Sequence, residues 1–203
     1  MVFAACLALA FSGTIVDYFP LAAGTKWTYE DPNGAQNEVV VGETIDLGKG
    51  KSAIEETSTA TGRTASLFQI GGDTAYVVGT LDTMDKKSSP NLLGEPHPIL
   101  KIGASKATWT YLGELATGLG PVALTVKGES SPGPRRKVLG HEIETYDVHV
   151  ISRIGSGETA SEVRQDAIYG KGIGLVEVNE ATKTTQGTVK KVLKLVKFEP
   201  AQG

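Results

Sequence analysis

The densest run of side chains able to do chemistry is His141-Glu142-Ile143-Glu144-Thr145-Tyr146-Asp147-Val148-His149-Val150. Alternate residues of a strand share a face, so a single strand through this run would place His141, Asp147 and His149 on one side. Asp147 and His149 are then near enough to share a metal ion. His141 lies about 20 Å further along at roughly 3.3 Å per residue. Zinc takes three or four converging ligands, and no third one is supplied here. The same alternation is also what any half-buried strand shows, with Tyr146, Val148 and Val150 toward the core and Asp147 and His149 in water. That second reading is preferred. Asp147 and His149 stand as weak metal candidates, and no metal or other cofactor is expected.

Other constellations are weaker. Gly170-Lys171-Gly172-Ile173-Gly174 has the glycines and lysine of a phosphate loop. It lacks the longer glycine spacing that ends in Lys-Ser/Thr and opens a helix. It precedes a strand-like Leu175-Val176-Glu177-Val178, so a bulge or tight turn accounts for its glycines. The carboxylate pairs Glu55-Glu56 and Glu142/Glu144 read as solvated strand faces. A glycosidase pair needs a fixed separation across a cleft, which sequence does not give. His97, His141 and His149 have serines elsewhere in the chain, but no Gly-x-Ser-x-Gly elbow occurs. Arg135-Arg136-Lys137 follows Ser131-Pro132-Gly133-Pro134 and reads as a basic turn. No catalytic residue is assigned, and a non-enzyme is expected.

The elements that would hold such residues are strands. The chain has 203 residues, 40% hydrophobic and 21% charged, enough apolar material for a core. Its net charge of -3 and mixed signs do not favour nucleic acid or an anionic membrane as partner. Period-two alternation recurs between Gly, Pro, Asn and Asp punctuation. Lys26–Glu30, Asn37–Asp46, Ser52–Thr61, Arg63–Ile70 and Thr74–Thr80 read as strands of hairpins. Further runs are Lys106–Leu112, Pro121–Glu129, Lys137–Glu144, Thr145–Ile154, Glu158–Tyr169 and Ile173–Thr182. Residues 188–198 fit either a strand or a helical face, and their valines and hairpin context favour a strand. Residues 82–98 are expected to be a long surface connection or a midpoint between two halves, because Pro90, Pro96 and Pro98 exclude a central strand. The predicted fold is all-β: one extended, curved antiparallel sheet or half-barrel of about a dozen strands.

Two features refine this picture. Pro20-Leu21-Ala22-Ala23-Gly24 leads into Trp27-Thr28-Tyr29, and Pro98 through Gly103 leads into Trp109-Thr110-Tyr111. This weak repeat divides a single domain, 17–203, into related halves at about 17–97 and 98–203. Each Trp-Thr-Tyr puts two aromatics on one face, where they could anchor half a sheet. The second feature is the uncharged start. Phe3–Phe11 is apolar and is followed by Ser12, Gly13 and Thr14, the pattern of a secretory signal over residues 1–16. The alternative is a buried N-terminal strand or helix. The run is too short to span a membrane. Its Cys6 is the only cysteine, and Phe3-Ala4-Ala5-Cys6 offers a poor lipidation box because Leu7–Phe11 stays apolar.

Asp17-Tyr18-Phe19-Pro20-Leu21 with Gly24 and Trp27-Thr28-Tyr29 resembles the start of a family of bacterial secreted proteins and lipoproteins. Tyr169-Gly170-Lys171-Gly172-Ile173-Gly174-Leu175-Val176 resembles that family's C-terminal signature. Gly170 departs from it, standing where a residue with a side chain is usual, and so does the lengthened Gly103–Trp109 spacer. The resemblance implies a curved sheet similar to periplasmic lipoprotein-carrier half-barrels and a secreted or periplasmic, cell-envelope location. It brings no activity and no functional residues. A concave face holding a lipid or other apolar ligand is the first functional expectation, with Trp27, Tyr29, Trp109 and Tyr111 as candidate contacts. An envelope scaffold that binds other proteins is the second, and a hydrolase the last.

Overall fold

The computed structural model describes residues 13–48, 51–59, 62–81, 90–117 and 120–202. The apolar start through Ser12, with Cys6, lies outside the described residues, as does the polar run Asp85–Ser89. One short helix, α1 (Ile15–Tyr18), comes first. Six strands follow: β1 (Lys26–Glu30), β2 (Gln36–Asp46), β3 (Lys51–Thr59), β4 (Gly62–Gly71), β5 (Thr74–Leu81) and β6 (Asn91–Lys101). The second half holds β7 (Ala107–Thr117), β8 (Gly120–Pro132), β9 (Arg136–Val138), β10 (His141–Ile143), β11 (Thr145–Ile154), β12 (Ser161–Gly170), β13 (Gly174–Thr184) and β14 (Gly187–Glu199).

Twelve strands form one antiparallel sheet in the order β6-β5-β4-β3-β2-β1-β14-β13-β12-β11-β8-β7. Each half of the chain is a six-stranded meander, and each Trp-Thr-Tyr lies on the first strand of its half. The halves join where β1 pairs with β14, with Trp27 opposite Phe198 and Tyr29 opposite Leu195. The expected half-barrel is thus curled further, into a nearly closed barrel. Its two edges, β6 and β7, meet at the middle of the chain. No ladder joins them. Side chains bridge the gap: the Tyr111 hydroxyl donates to Glu95 O at 3.3 Å, His97 stacks on Tyr111 at 5.0 Å, and the Ser130 hydroxyl donates to Lys101 O. At one end of this seam the Gly103 N–H donates to the Tyr146 hydroxyl at 2.8 Å, and that hydroxyl donates back to Gly103 O.

Residues 188–198 are strand, within β14. Two expectations are corrected. Residues 91–98 are not a loop but belong to β6, Pro96 and Pro98 included. Prolines are tolerated there because β6 is an edge strand, laddered to β5 on one side only. Lys137–Glu144 is not one strand. It folds as the small β9–β10 hairpin about Leu139 (φ 48°) and Gly140 (φ 90°). Two successive left-handed residues make the mirror-image turn that suits a tight hairpin.

The barrel interior is filled unevenly. α1 closes one end: Tyr18 and Ile15 are buried, and Tyr18 meets Tyr146 edge-on at 5.2 Å. Phe19 continues inward to Phe68 at 5.3 Å and Tyr169 at 6.2 Å. Thr14 to Val16, which the sequence assigns to the signal, cap and begin this helix, with the Thr14 N–H donating to the Asp17 carboxylate at 2.7 Å.

Candidate functional site

The N-terminal and C-terminal motifs meet at the α1 end of the barrel. The Trp27 indole N–H donates to Ile173 O at 2.6 Å, and the Tyr29 hydroxyl donates to Leu175 O at 3.0 Å. The Gly172 N–H donates to Asp17 O at 2.6 Å. Gly174 has φ of +91°, and a β-carbon there would stand 3.2 Å from Pro20 Cδ. A residue with a side chain would meet strain and a crowded ring at once, which explains the glycine. Segments about 146 residues apart in sequence therefore form one clasp.

Above the clasp the lumen holds a cavity of about 400 Å³. Phe19, Trp27, Val39, Phe68, Val148 and Leu193 supply its apolar wall. Polar residues Asn37, Thr57, Ser152, Gln165, Glu180 and Lys191 come from the parts of their strands away from α1. The arrangement is a greasy chamber, stopped at one end by α1 and fringed with polar groups toward the other. Pockets of this size and character suit small organic ligands.

Glu180 lies at the polar fringe, opposite Lys191, and a second carboxylate lies deeper. Glu55 projects from β3 into the cavity beside the register pair Ala53–Phe68. Water in the cavity can reach it, yet protein walls surround it. Burial pushes its pKa from 4.5 up to about 7, and no neighbouring cation draws it back. Its charge in turn adds to burial in raising the Tyr29 and Tyr169 hydroxyls well above the usual phenol value. Glu55 makes no hydrogen bond or ion pair with a side chain among the described residues. His97 also borders the cavity. Burial holds it below the ordinary histidine value, and its Nε2 has no protein partner among the described residues.

The structure separates the sequence-derived candidates. Trp27 and Tyr29 are buried and line the cavity, while Trp109 and Tyr111 do not line it. Trp109 lies flat across Gly128, its cross-strand partner, where a β-carbon would collide with the indole. Tyr111 belongs to the seam. His141 is on β10, off the strand that carries Asp147 and His149. Asp147 pairs with Arg136 at 3.2 Å and His149 with Asp166 at 2.5 Å, both on the outer face, while Tyr146, Val148 and Val150 point inward. Among the described residues no group of three His, Cys, Asp or Glu side chains could hold a metal ion. Lys171 of the glycine run pairs with Glu144 at 3.0 Å. A further expectation is corrected at Glu55, which reads with Glu56 as a solvated strand face in the sequence and instead lines the cavity. On Ser52–Thr59 both faces carry hydroxyls or carboxylates, so alternation gave no sign of which one looks inward.

Fold and cavity together define an up-and-down β-barrel with one stopped end and a ligand-sized lumen. No family model and no curated protein matches the chain. Among solved structures it is similar to a putative lipoprotein from Parabacteroides distasonis, at 12% identity and a TM-score of 0.38, over 90% of this chain and 98% of that one. No helix among the described residues is long and apolar enough to cross a membrane.

Proposed function

We propose that the protein is a non-catalytic secreted or cell-envelope barrel that binds a small apolar ligand in its lumen. The cavity of about 400 Å³ carries this reading, because its size and its apolar wall with a few polar groups are those of a site for a small organic ligand. The signal-like start supports the location. Asp147 and His149 sit in separate exposed ion pairs and His141 stands apart on β10, which supports a role without catalysis. The scaffold alternative is less favoured, since β6 and β7 face each other across the seam and neither offers a free edge for strand addition.

The test uses the placement of the two tryptophans. A Trp109→Phe variant leaves Trp27 as the only indole. A long-chain bromoalcohol, whose bromine quenches a neighbouring indole, is expected to quench Trp27 saturably. The same probe should barely affect Trp109 in a Trp27→Phe variant. Equal quenching of both, or none of Trp27, overturns the lumenal site.

A further inference from the structure

We infer that the lumen is selective for apolar ligands that carry a positive charge, an alkyl ammonium in the simplest case, with Glu55 as the counter-charge. This rests on the lumenal-binding reading and names the ligand class.

The argument begins with what surrounds Glu55. A carboxylate in an apolar enclosure is normally matched by a cation or by several donors. Among the described residues neither is found. There the charged and titratable groups that face the lumen, besides Glu55, are Tyr29 of β1, His97 of β6, Tyr169 of β12, Glu180 of β13 and Lys191 of β14. The Tyr29 hydroxyl already donates to Leu175 O. Burial disfavours the charged form of His97. Lys191 stands opposite Glu180 in the β13–β14 register, on the exposed stretch of β14. Among the described residues Glu55 therefore has no counter-charge in the lumen.

The walls agree with a cation as the missing group. Trp27, Tyr29, Phe68 and Tyr169 give the chamber aromatic faces, which attract ammonium groups through their negative quadrupole. A fatty acid has the right tail and the wrong head. Its carboxylate would enter a site that already holds one, and like charges in a poorly solvated enclosure repel strongly. A neutral alcohol is accommodated without discrimination.

The experiment compares decylamine, decanoate and decanol, each below its micellar concentration, by calorimetry on the full chain at about pH 8, where Glu55 is ionised. The expected order is decylamine tightest, by about tenfold or more over decanol, as for a charge-assisted hydrogen bond, and decanoate weakest. Glu55→Gln, checked for folding by circular dichroism, should erase the amine preference and leave decanol binding in place. Wild-type protein alone supplies a second measurement. Near pH 7 decylamine should release a fraction of a proton as Glu55 ionises, seen as a buffer-dependent heat, while decanol releases none. Decanoate binding as tightly as decylamine, an amine preference that survives Glu55→Gln, or amine binding without proton release overturns the inference and leaves lumenal binding standing. Failure of all three compounds to bind overturns the lumenal reading itself.

Discussion

Replacing Glu55 by glutamine should make the protein more stable, and only above a definite pH. The carboxyl has a pKa of about 7 in the folded chain against 4.5 for the free group. The folded state thus holds the proton more tightly than the unfolded state does. Below about pH 4 both states are protonated, and Glu55 brings no penalty. As pH rises through 4.5 the unfolded chain ionises first, and stability falls until the folded carboxyl has ionised too, above about pH 7. Two and a half pKa units at 1.36 kcal/mol each give about 3 kcal/mol. Water entering the cavity screens part of this, leaving about 2 kcal/mol at pH 8. Glutamine keeps the shape and never ionises. For a chain of this length the gain corresponds to roughly 4–8 °C in Tm. Thermal unfolding followed by circular dichroism at pH 4, 6 and 8 measures it. The variant should match wild type at pH 4 and exceed it progressively above. A difference that is the same at every pH, or wild type more stable at pH 8, refutes the placement of an unpaired carboxylate in the lumen.

Gly174→Ala forces a β-carbon into a left-handed position 3.2 Å from Pro20, and urea unfolding should show a loss of about 1–3 kcal/mol. Tyr146→Phe removes the hydroxyl that both accepts from and donates to Gly103. It should cost about 1–3 kcal/mol by the same assay and speed amide exchange at Gly103. His149→Ala breaks an exposed pair with Asp166; its effect on the urea midpoint should correspond to less than about 1 kcal/mol, and a much larger loss would mean that His149 has a role the outer-face geometry does not give it.

Local signals in the sequence carried most of the fold. Alternation placed Trp27 and Tyr29 inside, and Tyr146, Val148 and Val150 likewise, because a half-buried strand writes its two faces into successive residues. The turn-forming run Asp31-Pro32-Asn33-Gly34 separates β1 from β2, with the Gly34 N–H donating to Asp31 O. What remained hidden depends on neighbours. Pro96 and Pro98 forbid a central strand but allow an edge, and whether β6 is an edge is decided by pairing across the whole chain. Lys137–Glu144 alternates acceptably as a strand, and only the turn at Leu139 and Gly140 breaks it. Leu139 at positive φ is a choice that few sequences would advertise. Trp27 and Trp109 sit in matching motifs yet face different environments, a lumen in one case and a bare glycine in the other. The repeat fixes the strand's position within its half; the other half fixes what the ring touches.

The cavity and the charge inside it carry different weight. A barrel of twelve strands is wider than side chains alone can fill, since eight strands already give an interior that side chains just occupy. α1, Phe19 and the Tyr18–Tyr146 contact fill one end, and Ser152 and Thr57 are too small to fill the other. Some unfilled volume therefore follows from strand number and needs no functional cause. Glu55 does not follow from it. Leucine or glutamine on β3 would satisfy the wall of such a chamber at less expense of stability, and among the described residues no side chain pairs with the Glu55 carboxylate to hold it in place for structural reasons. An enclosed carboxylate whose burial pushes its titration into the neutral range is a combination met at binding sites, and that is the ground for proposing one here. The strand count explains why there is room in the barrel; the proposal that a cation fills it rests on Glu55.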